Sequence, residues 1–84
     1  MKRMTKNLMR DLLKDDNYNE CLAYMANRIA TCKGYDSAMT KLEKDYDKIQ
    51  DWVDDFEDND GWNDYSDNLE RVYTAVFCII DREF

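Results

Sequence analysis

The residues with the widest chemical potential are the carboxylates between positions 51 and 70. This acidic block holds nine Asp and Glu residues and no Lys or Arg, in a chain whose formal net charge is −7. Carboxylates bind cations, act as a general acid and base, or present negative charge to a basic partner. Each of these roles requires a different spacing, so the spacing distinguishes them.

The acidic block does not match a calcium-binding loop. When an EF-hand loop is aligned on Gly61, its first ligand position falls on Phe56 and its twelfth on Asp67. Phe56 has no ligand atom, and a single Asp does not replace the bidentate Glu of an EF-hand. Weak calcium binding by the helix, acidic loop and helix stays an alternative, but we expect no metal site.

Catalysis is disfavoured by what the chain lacks. It has no His, the commonest general base and zinc ligand. Asp54 and Asp58 have the spacing of an acid–base pair, but we place them on an exposed helix face without a pocket. Cys21, Cys32 and Cys78 lack the paired spacing of a zinc site, and we interpret them as buried small hydrophobic residues in a reducing compartment. We therefore predict no catalytic residue, no cofactor and no enzyme activity.

The elements that position these carboxylates are predicted to be helices. The chain contains no Pro and only two Gly, and its apolar residues recur at helical spacing. We predict an all-α domain spanning residues 1–84, built as a small bundle of about four helices. The predicted helices cover residues 5–15, 18–33, 36–58 and 63–82.

Several residues mark where these helices begin and end. Thr5 is predicted as the N-cap of the first helix, and Asn17 with Glu20 resembles a capping box for the second. Gly34 is predicted as the C-cap of the second helix. The clearest turn is Asn59-Asp60-Gly61.

The third helix carries the strongest periodic pattern. Its apolar stripe alternates steps of four and three residues and comprises Tyr35, Met39, Leu42, Tyr46, Ile49, Val53 and Phe56. On the opposite side fall Asp47, Asp51, Asp54 and Asp58, with Asp55 beside them. Successive carboxylates are then separated by about 4.5–6 Å along the axis, a regular line of negative charge. A solvated helix face is the competing interpretation.

The end of the fourth helix is apolar on nearly every side. A short β-strand over 72–77 is an alternative, but a lone strand would lack a partner, so we favour a helix. A helix that is apolar all round is central or covered by another subunit. The excess of apolar residues favours a homodimer over a monomer; the residues concerned are Val76, Phe77, Ile79 and Ile80.

Two tryptophans lie near the acidic line, Trp52 beside the apolar stripe and Trp62 directly after the turn. Trp is among the residues most enriched at the energetic centres of interfaces, although either ring could instead close the end of a small core. The predicted partner-binding residues are Asp47, Asp51, Trp52, Asp54, Asp55, Asp58, Asp60, Trp62 and Asp64. The basic residues near the N-terminus are expected to pair with the acidic block of the same chain or of a neighbour.

Composition limits the setting in which the protein works. With 44% hydrophobic and 37% charged residues, the chain is too apolar for disorder and too charged for a membrane protein. Its basic start lacks the apolar run and cleavage site of a signal peptide, and no stretch approaches a membrane span. We expect a cytoplasmic protein that has no membrane contact.

The chain resembles a group of small acidic proteins encoded by phages. The resemblance rests on its size and helical character and on the run Asp51-Trp52-Val53-Asp54-Asp55-Phe56-Glu57-Asp58-Asn59-Asp60. It is similar in these respects to inhibitors of bacterial defence, of which the anti-restriction and anti-CRISPR DNA mimics are nearest. The resemblance implies a stoichiometric inhibitor that occupies the basic nucleic-acid groove of a protein or complex and does not itself bind nucleic acid.

Two other functions remain open from the sequence. In the first, the chain is a helical dimerisation or interaction module whose acids only solvate its surface. In the second, it is an immunity-type protein that neutralises a basic nuclease toxin through the same carboxylates. The second function uses the same electrostatics as groove mimicry and differs only in the target.

Overall fold

A computed structural model of the chain describes residues 3–61 and 64–84. It is 85% helical and contains four α-helices, which confirms the predicted all-α bundle. Their bounds are α1 Lys6–Leu12, α2 Tyr18–Ile29, α3 Tyr35–Asp60 and α4 Asp64–Glu83, with a 3-10 turn at Asp15–Asn17. The two described ranges contain no β-strand, and residues 72–77 are helical within α4. None of the helices described has the combination of length and apolarity that crossing a membrane requires.

The long helix α3 sets the dimensions of the molecule. Its 26 residues correspond to about 39 Å of helix, which equals the longest extent of the fold, 39 Å. Gly61, in the left-handed conformation at a φ of 66°, ends α3, as predicted for the turn. The chain then reverses, and α4 packs antiparallel along α3 while α1 and α2 cover the remaining side.

The core lies between α3 and α4 and between this pair and the two shorter helices, α1 and α2. Near the turn, the rings of Phe56 and Tyr65 pack in a tilted arrangement with their centroids 5.2 Å apart. The fully buried aliphatic side chains come from all four helices and include Met9, Met25, Ile29, Leu42, Ile49, Val53, Leu69, Val72, Val76 and Ile80. Burial of this apolar surface is the main force that holds the helices in place.

The buried stripe of α3 departs from the predicted one in its first half. Tyr35 is 39% exposed, and Met39 and Tyr46 are only half-buried. Ala38 and Asp45 occupy the buried positions instead. The predicted stripe kept a seven-residue repeat, whereas a straight α-helix drifts by about 20° per heptad from that repeat. The stripe that faces the core therefore moves to neighbouring residues at the start of α3.

The helix ends agree with the sequence only in part. Thr5 caps α1 as predicted, because its Oγ1 accepts a hydrogen bond of 3.2 Å from the Leu8 amide. The predicted capping box of α2 is wrong. Asn17 makes no capping hydrogen bond there, and its Nδ2 instead donates to the Asp11 carbonyl at 2.7 Å. The Asn17 side chain thus adds a hydrogen bond to a carbonyl in the last turn of α1, which also accepts from the Lys14 amide at 3.4 Å.

Two helices are shorter than predicted. α1 ends at Leu12, and α2 ends at Ile29, four residues before the predicted boundary. Tight hydrogen bonds close α2, with the Cys32 amide donating to the Ile29 carbonyl at 3.0 Å. Gly34 is extended, at a φ of −164°, and is the N-cap of α3, so its predicted role as a C-cap is also wrong.

The cysteines differ in exposure. Cys21 is buried, as predicted, and its burial raises the pKa of the thiol to about 12. Cys32 is half-buried and Cys78 is exposed, which corrects the prediction that all three are buried. Cys78 is exposed because the inward face of α4 already carries Val76 and Ile80. The same geometry leaves Phe77 36% exposed and Ile79 half-buried.

Glu57 secures the start of α4 from across the turn. One of its carboxylate oxygens accepts hydrogen bonds from the Ser66 amide at 3.2 Å and from the Ser66 hydroxyl at 2.9 Å. This contact satisfies one of the amides that a helix N-terminus leaves without a partner. Glu57 is therefore a structural member of the acidic block and contributes to the position of α4.

Replacing Glu57 with Ala should lower the free energy of unfolding by about 1 kcal/mol, the usual cost of losing an N-terminal cap. Asp58→Ala is the matched control, since it removes the same charge from the adjacent, exposed position and should change stability by only a few tenths of a kcal/mol. Urea unfolding of both variants measures the difference. Equal losses would show that Glu57 does not act as a cap.

Candidate functional site

Four predicted site residues form a continuous line on α3. Asp47, Asp51, Asp54 and Asp58 are all exposed and succeed one another at steps of four, three and four residues. We call this line the acidic ridge; it is about 16 Å long, with a carboxylate every 5.5 Å or so. Within the described part of the chain, no ion pair or hydrogen bond engages these four side chains.

The acidic ridge lowers the stability of the helix that carries it. Like charges three or four residues apart each cost a few tenths of a kcal/mol. The last turn of α3 contains no basic residue, so its acidic side chains meet the negative end of the helix dipole unopposed by a cation within that turn. The core on the opposite face keeps α3 folded in spite of these costs. An arrangement that lowers stability is more typical of a binding surface than of a solvated face.

Asp55 differs from the other predicted carboxylates. The Lys6 ammonium lies 2.7 Å from its carboxylate, although the Asp55 side chain is still 57% exposed. This ion pair confirms that a basic residue near the N-terminus pairs with the acidic block of its own chain. Because Lys6 partly neutralises Asp55, the Asp55 carboxylate is less available to a partner than the carboxylates of the acidic ridge are.

A pair of tyrosines extends the acidic surface from α3 to α4. The Tyr46 and Tyr73 rings pack with centroids 4.8 Å apart, and the Tyr46 hydroxyl donates a hydrogen bond to the Glu70 carboxylate. This bond, with burial and nearby negative charge, raises the pKa of Tyr46 to about 12. Burial first, and then the charges of Glu43, Glu70 and Asp47, raise the pKa of Tyr73.

The sequence did not reveal this extension. It placed Tyr46 in the core stripe, and nothing in the spacing of α4 related Glu70 to α3. The only available signal was the polarity of the tyrosine hydroxyl, which requires a partner when the ring is partly buried. The structure thus adds Glu43, Tyr46, Glu70 and Tyr73 to the residues around the acidic ridge.

Tyr46→Phe should reduce the pH dependence of stability in alkaline solution. The pKa of Tyr46 is raised in the folded protein, so its contribution is complete below pH 10 and is lost as the pH rises from 10 to about 12. The variant should lose about 1 kcal/mol at neutral pH and show a shallower decline over that range. Urea unfolding at several pH values measures both effects. Tyr35→Phe is the control and should keep the decline of the wild type.

Trp52 and Asp64, two further predicted partner-binding residues, are not members of the acidic ridge. Trp52 is half-buried against the core, and the Lys48 ammonium lies 5.5 Å from the centroid of the Trp52 ring. The indole therefore contacts a lysine of α3 and not a carboxylate of the ridge. Asp64 is half-buried in the first turn of α4. Trp62 and the side chain of Asp60 lie outside the described residues.

The lysines of α3 lie beside the acidic ridge, with Lys44 three residues before Asp47 and Lys48 three residues before Asp51. Lys41, Lys44 and Lys48 lie on the side that faces the C-terminal half of α2, where Asp45 is buried. Arg28 of α2 donates from Nε to one Asp45 oxygen at 2.7 Å and from Nη2 to the other at 3.0 Å. These hydrogen bonds are the largest cause of a raised pKa for Arg28. The two-point ion pair fixes α2 against α3.

No metal site is found among the described residues, and the chain matches no known family. No group of three or more His, Cys, Asp or Glu side chains among them has the arrangement to hold a metal ion. Comparison of the chain with protein-family models, curated proteins and solved structures finds no match. Inferences about function therefore depend on the geometry and charge of the molecule itself.

Proposed function

We propose that the protein is a non-enzymatic inhibitor that binds the basic nucleic-acid groove of a bacterial defence complex or nuclease through its acidic ridge. The observation that carries the proposal is the ridge itself: four exposed carboxylates in line on a rigid helix, without a basic neighbour paired to any of them among the described residues. Basic side chains in such a groove normally hold phosphates, and carboxylates accept the same hydrogen bonds.

The spacing of charge supports mimicry of one nucleic-acid strand. A single DNA strand carries one phosphate every 3.4 Å of axis, whereas the acidic ridge carries one carboxylate every 5.5 Å or so. The ridge thus reaches about two-thirds of the linear charge density of one strand. The neighbouring carboxylates around Tyr46 and Tyr73 add negative charge beside it.

The tyrosine pair supplies a second kind of contact. Tyr46 and Tyr73 are half-buried, so each exposes part of an aromatic ring next to carboxylates. Tyr is enriched among residues that dominate binding energy, and its ring stacks on Arg side chains of a basic groove. Charge is then responsible for fast association, while the rings slow dissociation.

Capture from bacterial lysate, followed by competition, tests this proposal. Immobilised protein should retain a basic nucleic-acid-binding protein or complex, and added duplex DNA or RNA should displace it. The association rate should fall steeply with salt, because charge steering is screened beyond about 8 Å at physiological ionic strength. A captured partner that binds nucleic acid and this protein at the same time would rule out mimicry. The identity of the partner distinguishes a defence complex from a nuclease toxin.

Homodimerisation is a second candidate function, favoured by the apolar end of α4. Phe77 is 36% exposed and Phe84 is 41% exposed, and Cys78 lies between them in the sequence and is exposed. Large exposed rings near one helix end are typical of an interface. Sedimentation of the wild type and of Phe77→Ser measures the oligomeric state. A wild type that stays monomeric at high concentration would exclude this function.

A further inference from the structure

The molecule also carries a cavity lined mainly by cationic side chains. It has a volume of about 230 Å³ and lies between the N-terminal segment, α2 and the first half of α3. Met4 and Asp45 contribute to its wall, and its cations are Arg3, Arg28, Lys41, Lys44 and Lys48. The chain has 12 Lys and Arg residues and a net charge of −7, so this concentration of five cations is a local reversal of its overall charge.

Arg28 is the ordered element of this cavity. Its side chain is only 18% exposed, and Asp45, whose side chain is 5% exposed, holds it at two points. Asp45 engages two of the five N–H donors of the guanidinium and Tyr24 is a further hydrogen-bond partner, which leaves donors for a bound ligand. The guanidinium is thereby oriented before any ligand binds, which reduces the entropy lost on binding.

The described wall of the cavity carries little negative charge. Among the described residues of the wall, Asp45 is the one carboxylate, and Lys41 reaches it only at 4.0 Å. Within the part of the chain that the structure describes, Arg3, Lys44 and Lys48 form no ion pair. Lys44 and Lys48 are four residues apart on one helix face, an arrangement of like charges that lowers helix stability. A bound anion would remove this repulsion.

From this geometry we propose that the cavity binds a small anion that carries a free phosphate group. Arg offers a planar fork for two phosphate oxygens and Lys a point charge, the combination that recognises phosphate in proteins. The volume lies below the 300–1,000 Å³ or so of typical drug-sized pockets, so a compact ligand fits best. This site is independent of the acidic ridge and of the proposed inhibitory function.

A free small molecule is the ligand class that the charges favour. Nucleic acid and anionic bilayers present many phosphates at once, and the net charge of −7 with the ridge on the same helix repels such polyanions. A single phosphate group needs only the cavity. The shared chemistry is a phosphate with two or more exposed oxygens, supplied by a soluble compound.

Titration with inorganic phosphate, followed by amide NMR and by melting temperature, tests the proposal. At constant ionic strength set with chloride, phosphate should shift the amide signals of the Arg28 region and of residues 41–48 and raise the melting temperature. Lys44→Gln with Lys48→Gln should weaken binding about tenfold. Lys14→Gln with Arg82→Gln is the matched control, because it removes two positive charges away from the cavity and should bind as the wild type does.

Three results would overturn the proposal. The first is that phosphate changes the spectra no more than chloride does. The second is an equal loss of affinity in the cavity variant and in the control, which would indicate a diffuse effect of net charge. The third is tighter binding of an oligonucleotide, or of vesicles containing phosphatidic acid, than of inorganic phosphate and pyrophosphate. The first two results would leave the groove-binding proposal unaffected, since that proposal depends on other residues.

Discussion

Reversing three carboxylates of the acidic ridge should abolish capture of the partner while the fold is retained. The variant carries Asp51→Lys, Asp54→Lys and Asp58→Lys, all at exposed positions opposite the core. Three new positive charges would face a groove that is itself positive, and like charges juxtaposed across an interface cost several kcal/mol. The stability of the free protein should rise by a few tenths of a kcal/mol, because repulsion along the helix is relieved and the change at position 58 places a cation near the negative end of α3.

A second triple variant separates the ridge from net charge. Glu20→Lys, Asp81→Lys and Glu83→Lys alter the total charge by the same amount at exposed positions on α2 and α4. This control should slow association modestly and leave capture intact. Circular dichroism, melting temperature and competition with nucleic acid are measured on both variants. If the variant with Lys at positions 51, 54 and 58 bound the partner as tightly as the wild type does, the groove-binding proposal would be wrong.

Replacing Asp45 with Ala should cause the largest loss of stability of any single charge removal in the described chain. Its carboxylate is nearly fully buried and holds Arg28 at two points, so the variant leaves a guanidinium that is mostly out of contact with water and has lost its counter-charge. Breaking a buried pair from one side costs about 3–5 kcal/mol. We expect a loss near the lower value, because the Arg28 side chain keeps 18% exposure.

A double variant shows how much of that loss comes from the unpaired charge. Asp45→Leu with Arg28→Met replaces the pair with apolar side chains of similar volume. The free energy of unfolding of this double variant should lie within about 1 kcal/mol of that of the wild type. Urea unfolding of the single variants Asp45→Leu and Arg28→Met and of the double variant completes the cycle. A double variant as unstable as Asp45→Ala would contradict this explanation. The loss would then come from the missing hydrogen bonds between Arg28 and Asp45 and not from an unpaired buried charge.

The helices and the acidic ridge were predictable because both follow from spacing within one element. Steps of three and four residues fix which side chains share a face, whatever the rest of the chain does. The exposure of Asp51 and Asp54 therefore followed directly from the burial of Val53 and Ile49 on the opposite side. The strand alternative for 72–77 was likewise decided by the lack of a second strand.

The parts that could not be predicted depend on contacts between distant residues. Asp45 and Asn68 are polar residues on buried faces, and their burial is tolerated only because partners far along the chain satisfy them. Asn68 donates from Nδ2 to the Leu13 carbonyl at 2.7 Å and to Asp15 at 2.8 Å. Spacing within a single helix cannot identify such partners. The cavity of cations and the contact between Tyr46 and Glu70 were missed for the same reason.

The shortness of α1 has a consequence for how the molecule opens. Helices below about 12–15 residues are marginal in water, so seven residues persist as a helix only while Met9 and Leu13 are docked in the core. We expect the amide hydrogens of α1 to exchange with solvent before those of α3 and α4, through local openings that leave the long hairpin intact. Each opening withdraws Lys6 from Asp55 and leaves that carboxylate without its counter-ion. The charge on the acidic side of the protein therefore fluctuates with the docking of its first helix.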